Sequence, residues 1–170
     1  MPKPHQDTTA PTLLQDLRAG TATLHVALEK RLPFFSEHLD AAWYRRLIQA
    51  YFGFYQPLEA ALHDSGLIPA GYDPEQRRKT PALAGDLQAL GLAPERIDAL
   101  PRCDHLPALA SPGACLGALY VLEGATLGGQ ILRREMAQRL DLHGDNGGAF
   151  LDGDGAATGG RWEDFFDYLG

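Results

Sequence analysis

A chain of 170 residues with 45% hydrophobic and 22% charged residues has room for one domain and the composition of an ordinary soluble globular protein. A formal net charge of −7 argues against general nucleic-acid binding. No apolar run of ~20 residues marks a membrane span and no apolar signal core opens the chain, so the expectation is a cytoplasmic protein with no membrane partner. Taken in order, residues 1–11 are polar and read as a disordered segment, and residues 12–170 as one domain. A first helix is expected from Thr12 to about Leu32, where Pro33 ends it. Its apolar positions Leu13, Leu14, Leu17, Leu24, Leu28 and Leu32 follow a period near 3.6. A second helix starts on Asp40 as N-cap, carries Trp43 to Leu58, holds Gly53 and Pro57, and ends near Ser65-Gly66. Residues 67–79 read as a loop with a basic patch, Arg77-Arg78-Lys79. Short helices fit Pro81–Leu90, stopped by Gly91, and Pro94–Leu100, with a connector over 101–110.

A long helix follows from Ser111 as N-cap, with Pro112 in its first turn, to about Leu142. Residues 144–160, rich in Gly and Asp, read as a mobile loop, and Arg161–Leu169 as a last helix in which the chain ends, as if cut short. No alternating strand pattern and no internal repeat is found, so the fold class is all-α.

The long helix contains Gly117, Gly124, Gly128 and Gly129. Each interior helix glycine costs about 0.5–1 kcal/mol relative to alanine. Gly124 and Gly128 share a face, and Gly117 lies two turns earlier on nearly the same stripe. Such a stripe is bare backbone, against which something flat or closely packed can lie. Of six histidines, His25 stands mid-helix with Glu29 four residues on, hence on the same face. A carboxylate there can accept from Nδ1 and aim Nε2 outward, as metal-ligating histidines require. The residues alone leave several readings open. His25 is also read as a satisfied boundary residue, Arg18 as a solvated surface arginine and Tyr120 as core packing. His25-x-x-x-Glu29 and Glu59-x-x-x-His63 could serve a di-iron protein, although the long helix adds only Glu123. A helical packing domain, in which the glycines only permit close helix contact, fits the same pattern. Cys103 and Cys115 form no Cys-x-x-Cys motif and are expected as buried or half-buried thiols.

The segment Leu17-Arg-Ala-Gly-Thr-Ala-Thr-Leu-His-Val-Ala-Leu-Glu29 resembles the proximal helix of haem oxygenases. Leu119-Tyr-Val-Leu-Glu-Gly-Ala-Thr-Leu-Gly-Gly-Gln-Ile-Leu132 resembles their distal helix in its bacterial form. The likeness covers roughly residues 12–142 and points to the short bacterial enzymes, with the bacteriophytochrome-associated branch as a candidate. The resemblance implies a single-domain helical bundle with haem b, at once substrate and cofactor, between a proximal and a distal helix. It implies O2- and electron-dependent ring opening to biliverdin, CO and Fe2+. A non-catalytic haem-binding carrier would use the same ligand without that chemistry. The resemblance assigns His25 as axial iron ligand, Glu29 as its orienting neighbour, Arg18 and Tyr120 as propionate partners, and Gly124, Gly128 and Gly129 as the wall over the haem. Partners implied are O2, an electron donor such as ferredoxin or a flavin reductase, and a bacteriophytochrome as biliverdin acceptor. Arg133, Arg134 and Arg139 are read as a patch that steers an acidic donor, or else as a solvated helix end. One position departs from the family. Many members carry an aspartate directly after the first glycine, where this chain has Ala125. The proton-delivering water is then expected on the backbone of Gly124 and Gly128, with Thr126, Gln130 or Arg161 as polar helpers.

Overall fold

The structure, a computed structural model, describes residues 12–32 and 34–169; the segment 1–11, Pro33 and Gly170 lie outside the described residues. Every regular element among the described residues is helical. The chain divides into two compact units, Met1–His38 and Leu39–Gly170, and each is taken by itself.

The first unit contains α1 (Leu13–Glu29). Thr12 starts it with a reciprocal cap: its hydroxyl accepts from the Gln15 N–H at 3.3 Å, and the Gln15 side chain accepts from the Thr12 N–H at 2.9 Å. The helix stops at Glu29, before the expected Leu32.

The second unit opens with α2 (Ala41–Ser65). The Asp40 carboxylate accepts the Trp43 N–H at 2.6 Å, and Gly66, at φ 61°, closes the helix in the left-handed region. Pro57 has no N–H to give the carbonyl four residues back, which belongs to Gly53. That carbonyl accepts instead from the Cys103 N–H at 2.8 Å. A Cβ on Gly53 would lie 2.5 Å from the Pro101 carbonyl oxygen. The glycine and proline together thus form a socket into which the connector before the long helix plugs.

The remaining elements are α3 (Thr80–Ala89), α4 (Pro94–Asp98), α5 (Pro112–Leu140), α6 (Ala149–Asp152) and α7 (Thr158–Leu169). Helix α2 packs on α3, α3 on α6, and α5 on both α6 and α7. Tyr44, Ile48, Leu83, Leu87, Cys115 and Phe165 are fully enclosed there. Each large apolar side chain so buried contributes about 1.5–3 kcal/mol. Helix α5 is strongly apolar. An 18-residue window of it has mean hydropathy 1.3, which by length and composition is enough to cross a membrane. Its alanines and branched aliphatic residues produce that average, and Glu123, buried and ion-paired within it, marks it as a helix packed in protein.

One sequence expectation changes. Residues 144–160 are not one loop: they hold α6 and a 3-10 turn over Gly155–Ala157. Their Gly and Asp residues supply turns and caps. The Asp86 carboxylate, from α3, accepts the N–H groups of Ala149 and Phe150, each at 2.8 Å. Burial pushes the Asp86 carboxyl up, and the two N–H groups pull it back toward the carboxylate range. The basic patch of the 67–79 loop, which holds a 3-10 turn over Glu75–Arg77, is paired. Arg77 pairs with Glu123 at 3.0 Å, Lys79 with Asp154 at 3.3 Å, and Arg78 with Glu75 at 3.2 Å. Glu59 lies behind them and accepts the N–H groups of Lys79 and Thr80 and the Thr80 hydroxyl.

Asp86→Ala strips two backbone donors of their acceptor at once. At about 1–3 kcal/mol for each buried group left unsatisfied, a loss of roughly 2–6 kcal/mol is expected in denaturant unfolding, with Asp86→Asn milder. A loss below the scatter of surface substitutions would mean that α6 holds without this cap.

Candidate functional site

In the first unit, Arg18, His25 and Glu29 fall within one stripe of α1, since seven and four residues are nearly whole turns. His25 Nδ1 stands 3.5 Å from Glu29 Oε1, within ion-pair reach but longer than a well-formed hydrogen bond. The two side chains are 69% and 64% exposed. With Nδ1 turned to the carboxylate, Nε2 is the ring nitrogen left for another partner. Arg18 is exposed on the same stripe. Leu24 and Leu28, which flank His25, are exposed large apolar residues. A cation-ready arginine, an oriented imidazole and flanking leucines form a surface able to take a large apolar ring bearing acidic groups.

In the second unit, the glycines of α5 separate into two sets. A Cβ on Gly117 or Gly128 would meet nothing within 4 Å. A Cβ on Gly124 would stand 3.4 Å from the Trp162 ring of α7, an ordinary contact. These three share a stripe with Val121 and Ile131, both exposed. Gly129, expected beside Gly128 on the same wall, is turned about 100° away. A Cβ there would press on the Leu151 carbonyl oxygen of α6 at 3.2 Å. Its missing side chain admits α6. The ring of Tyr120 lies against Trp162 and Phe166, with centroids 5.8 and 6.5 Å away. It is half-buried, so α7 fixes the direction in which it faces.

The polar helpers expected beside the glycine stripe are engaged elsewhere. The Thr126 hydroxyl donates to the Glu123 carbonyl at 2.6 Å. Gln130 Nε2 donates to the Asp152 carbonyl at 3.1 Å and reaches the Thr158 hydroxyl at 3.4 Å. Arg161 pairs with Asp154 at 3.1 Å and donates to the Gln76 carbonyl. Ala125 is exposed. The arginine cluster at the end of α5 is also partly spoken for. Arg133 pairs with Asp152 at 3.0 Å and Arg139 with Glu135 at 3.5 Å, while Arg134 is exposed.

The carboxylates that a di-iron site would need are committed as well. Glu123 accepts from the Tyr72 hydroxyl at 2.8 Å and from Arg77. Burial, reinforced by the Glu123 charge, pushes the Tyr72 hydroxyl far above its ordinary range, so it remains a donor. His63 Nδ1 faces Glu75 at 3.5 Å, away from the backbone donors that occupy Glu59. Among the described residues no group of three or more His, Cys, Asp or Glu could hold a metal ion. These ion pairs join residues up to 75 positions apart. Sequence spacing carries no signal for them beyond the presence of unpaired charges in apolar surroundings.

A family model described as Heme oxygenase matches residues 11–170. A protein named heme oxygenase from Xanthomonas campestris pv. campestris (strain 8004) is 32% identical over 102 residues, 60% of this chain. The matched stretch spans 58% of that relative's own length. No solved structure matches.

Proposed function

The chain belongs to the haem oxygenase family, and from that premise we propose that it binds haem b as substrate and opens the ring with O2 and electrons, releasing biliverdin, CO and Fe2+. The observation that carries the reading is the His25–Glu29 pair on the exposed stripe of α1. In this reading His25 ligates iron through Nε2. Glu29, beside Nδ1, holds the ring tautomer and orientation and raises its basicity. Imidazole ligation pushes less electron density to iron than a thiolate does; Cys115 is enclosed in the core. Arg18 and Tyr120 offer donors to the propionates. The bare stripe of Gly117, Gly124 and Gly128 lets helix backbone approach the porphyrin where side chains would stand it off.

Haem supplies the iron at which O2 is reduced, and its own ring carbon is what is oxidised. The chain's part is to orient it, to exclude bulk water and to pass protons. With Ala125 in place of a carboxylate, and with Thr126, Gln130 and Arg161 bound elsewhere, water is the proton carrier left to this face. The electron donor in this proposal is a ferredoxin or a flavin reductase, and a bacteriophytochrome is the candidate acceptor for biliverdin.

Hemin added to the pure chain is expected to give a strong Soret band. A reductant under catalase is then expected to convert that band to biliverdin absorption with release of CO. No Soret band would overturn haem binding. A Soret band without ring opening would make the chain a haem carrier.

A further inference from the structure

The second unit has an open cavity of about 300 Å³ at the end of α5, bounded by Arg133, Arg134, Ala137, Leu142, His143 and Asp152. That volume is at the lower end of ligand pockets, ~300–1,000 Å³, and well beyond one water. Asp152 is the only carboxylate on the cavity wall, and one of its oxygens is taken by Arg133 Nη1 at 3.0 Å. The other lies against Gly144, whose missing Cβ makes room for it. Arg133 is left with an enclosed Nε that has no hydrogen-bond partner, a costly state for a donor on a permanently charged group. Arg134 is exposed and makes no ion pair among the described residues. At the rim His143 is already engaged: its Nε2 is 3.1 Å from Asp141. Two guanidiniums thus share with one carboxylate a space that could hold several non-hydrogen atoms, and at its rim a second carboxylate, Asp141, holds His143.

We propose that this cavity is a binding site for a small multivalent oxyanion of the phosphate or polycarboxylate class. Such a ligand offers only acceptors. It matches the planar guanidinium fork in two-point contact, and it would complete the donor set that Asp152 meets only in part. Arg134 supplies the free charge, Arg133, held by Asp152, adds a second guanidinium to the wall, and Ala137 and Leu142 form its apolar part. The site lies wholly in the second unit and does not depend on the haem reading.

The test uses the full chain in a phosphate-free buffer. Inorganic phosphate and citrate are titrated separately, followed by thermal denaturation and, for phosphate, by 31P line broadening. Sodium chloride at matched ionic strength is the control. A saturable rise in Tm with phosphate or with citrate, absent with chloride, is expected; the anion that gives it identifies the class. Arg134→Ala removes an exposed side chain that makes no ion pair among the described residues, so it is expected to fold as the parent does and to bind about tenfold more weakly. Ala137→Glu, which puts a competing carboxylate in the cavity, is expected to abolish the effect. A rise that chloride reproduces, or that both variants retain, would overturn the proposal.

Discussion

Replacing His25 by alanine is expected to lower ring opening by more than about 100-fold, because partners one shell further out already cost about 10–100-fold when removed. The His25 side chain is 69% exposed in its helix, and alanine has the highest helix propensity, so α1 loses only the contact with Glu29 by the change. Haem affinity is expected to survive in large part, since burial of a broad apolar ring at about 25 cal/mol per Å² outweighs a single bond. The Soret band should move and turnover collapse, and added imidazole should restore part of the activity by occupying the vacated space. Wild-type turnover with an unmoved Soret band would remove His25 from the iron. Glu29→Gln is the companion measurement. It keeps the side chain's length and removes its charge, so a loss of about tenfold is expected if the carboxylate orients the imidazole.

The second large effect is expected at Gly128. A Cβ there meets nothing within 4 Å, so Gly128→Leu is expected to leave the fold intact and, by gaining helix propensity, to stabilise α5 by a few tenths of a kcal/mol to about 1 kcal/mol. Turnover is nonetheless expected to fall by at least about tenfold, because a branched side chain then stands where the porphyrin would lie; an obstruction worth about 1.4 kcal/mol at the transition state suffices. Gly129→Ala gives the opposite pattern. Its Cβ presses on the Leu151 carbonyl, where overpacking typically costs about 1–3 kcal/mol, and its effect on activity follows from stability alone. Stability read from unfolding and turnover read from biliverdin therefore separate the two adjacent glycines. A Gly128→Leu protein that makes biliverdin at the parent rate would show that this stripe does not face the substrate.

Much of this was legible in the sequence where the cause is local. Asp40, Ser111 and Gly66 cap their helices as their chemistry demands, because a cap is decided within four residues. The His25–Glu29 pair follows from one helical turn. The two kinds of glycine were harder to tell apart. The i,i+4 relation put Gly124 and Gly128 together, but only the position of Leu151 shows that Gly129 serves packing. The segment 144–160 looked loose because its stabilising acceptor, Asp86, lies 63 residues earlier. The basic patch gave no sign of its pairing because the partner of Arg77, Glu123, lies 46 residues away. Long-range charge pairing leaves no periodic trace, so composition alone reads such residues as surface.

The socket at Gly53 and Pro57 ties two stretches of chain into one cooperative unit. The Cys103 amide donates to a carbonyl of α2, so its hydrogen is protected from exchange while that bond is made. Its protection should therefore exceed that of its irregular neighbours. The pair is also coupled across generations. Alanine at Pro57 would restore a rival N–H for the Gly53 carbonyl and leave Cys103 without an acceptor, while a side chain at Gly53 would displace Pro101. Each residue constrains what the other can become, and the stretch leading into α5 keeps the lifetime of the helix it is plugged into.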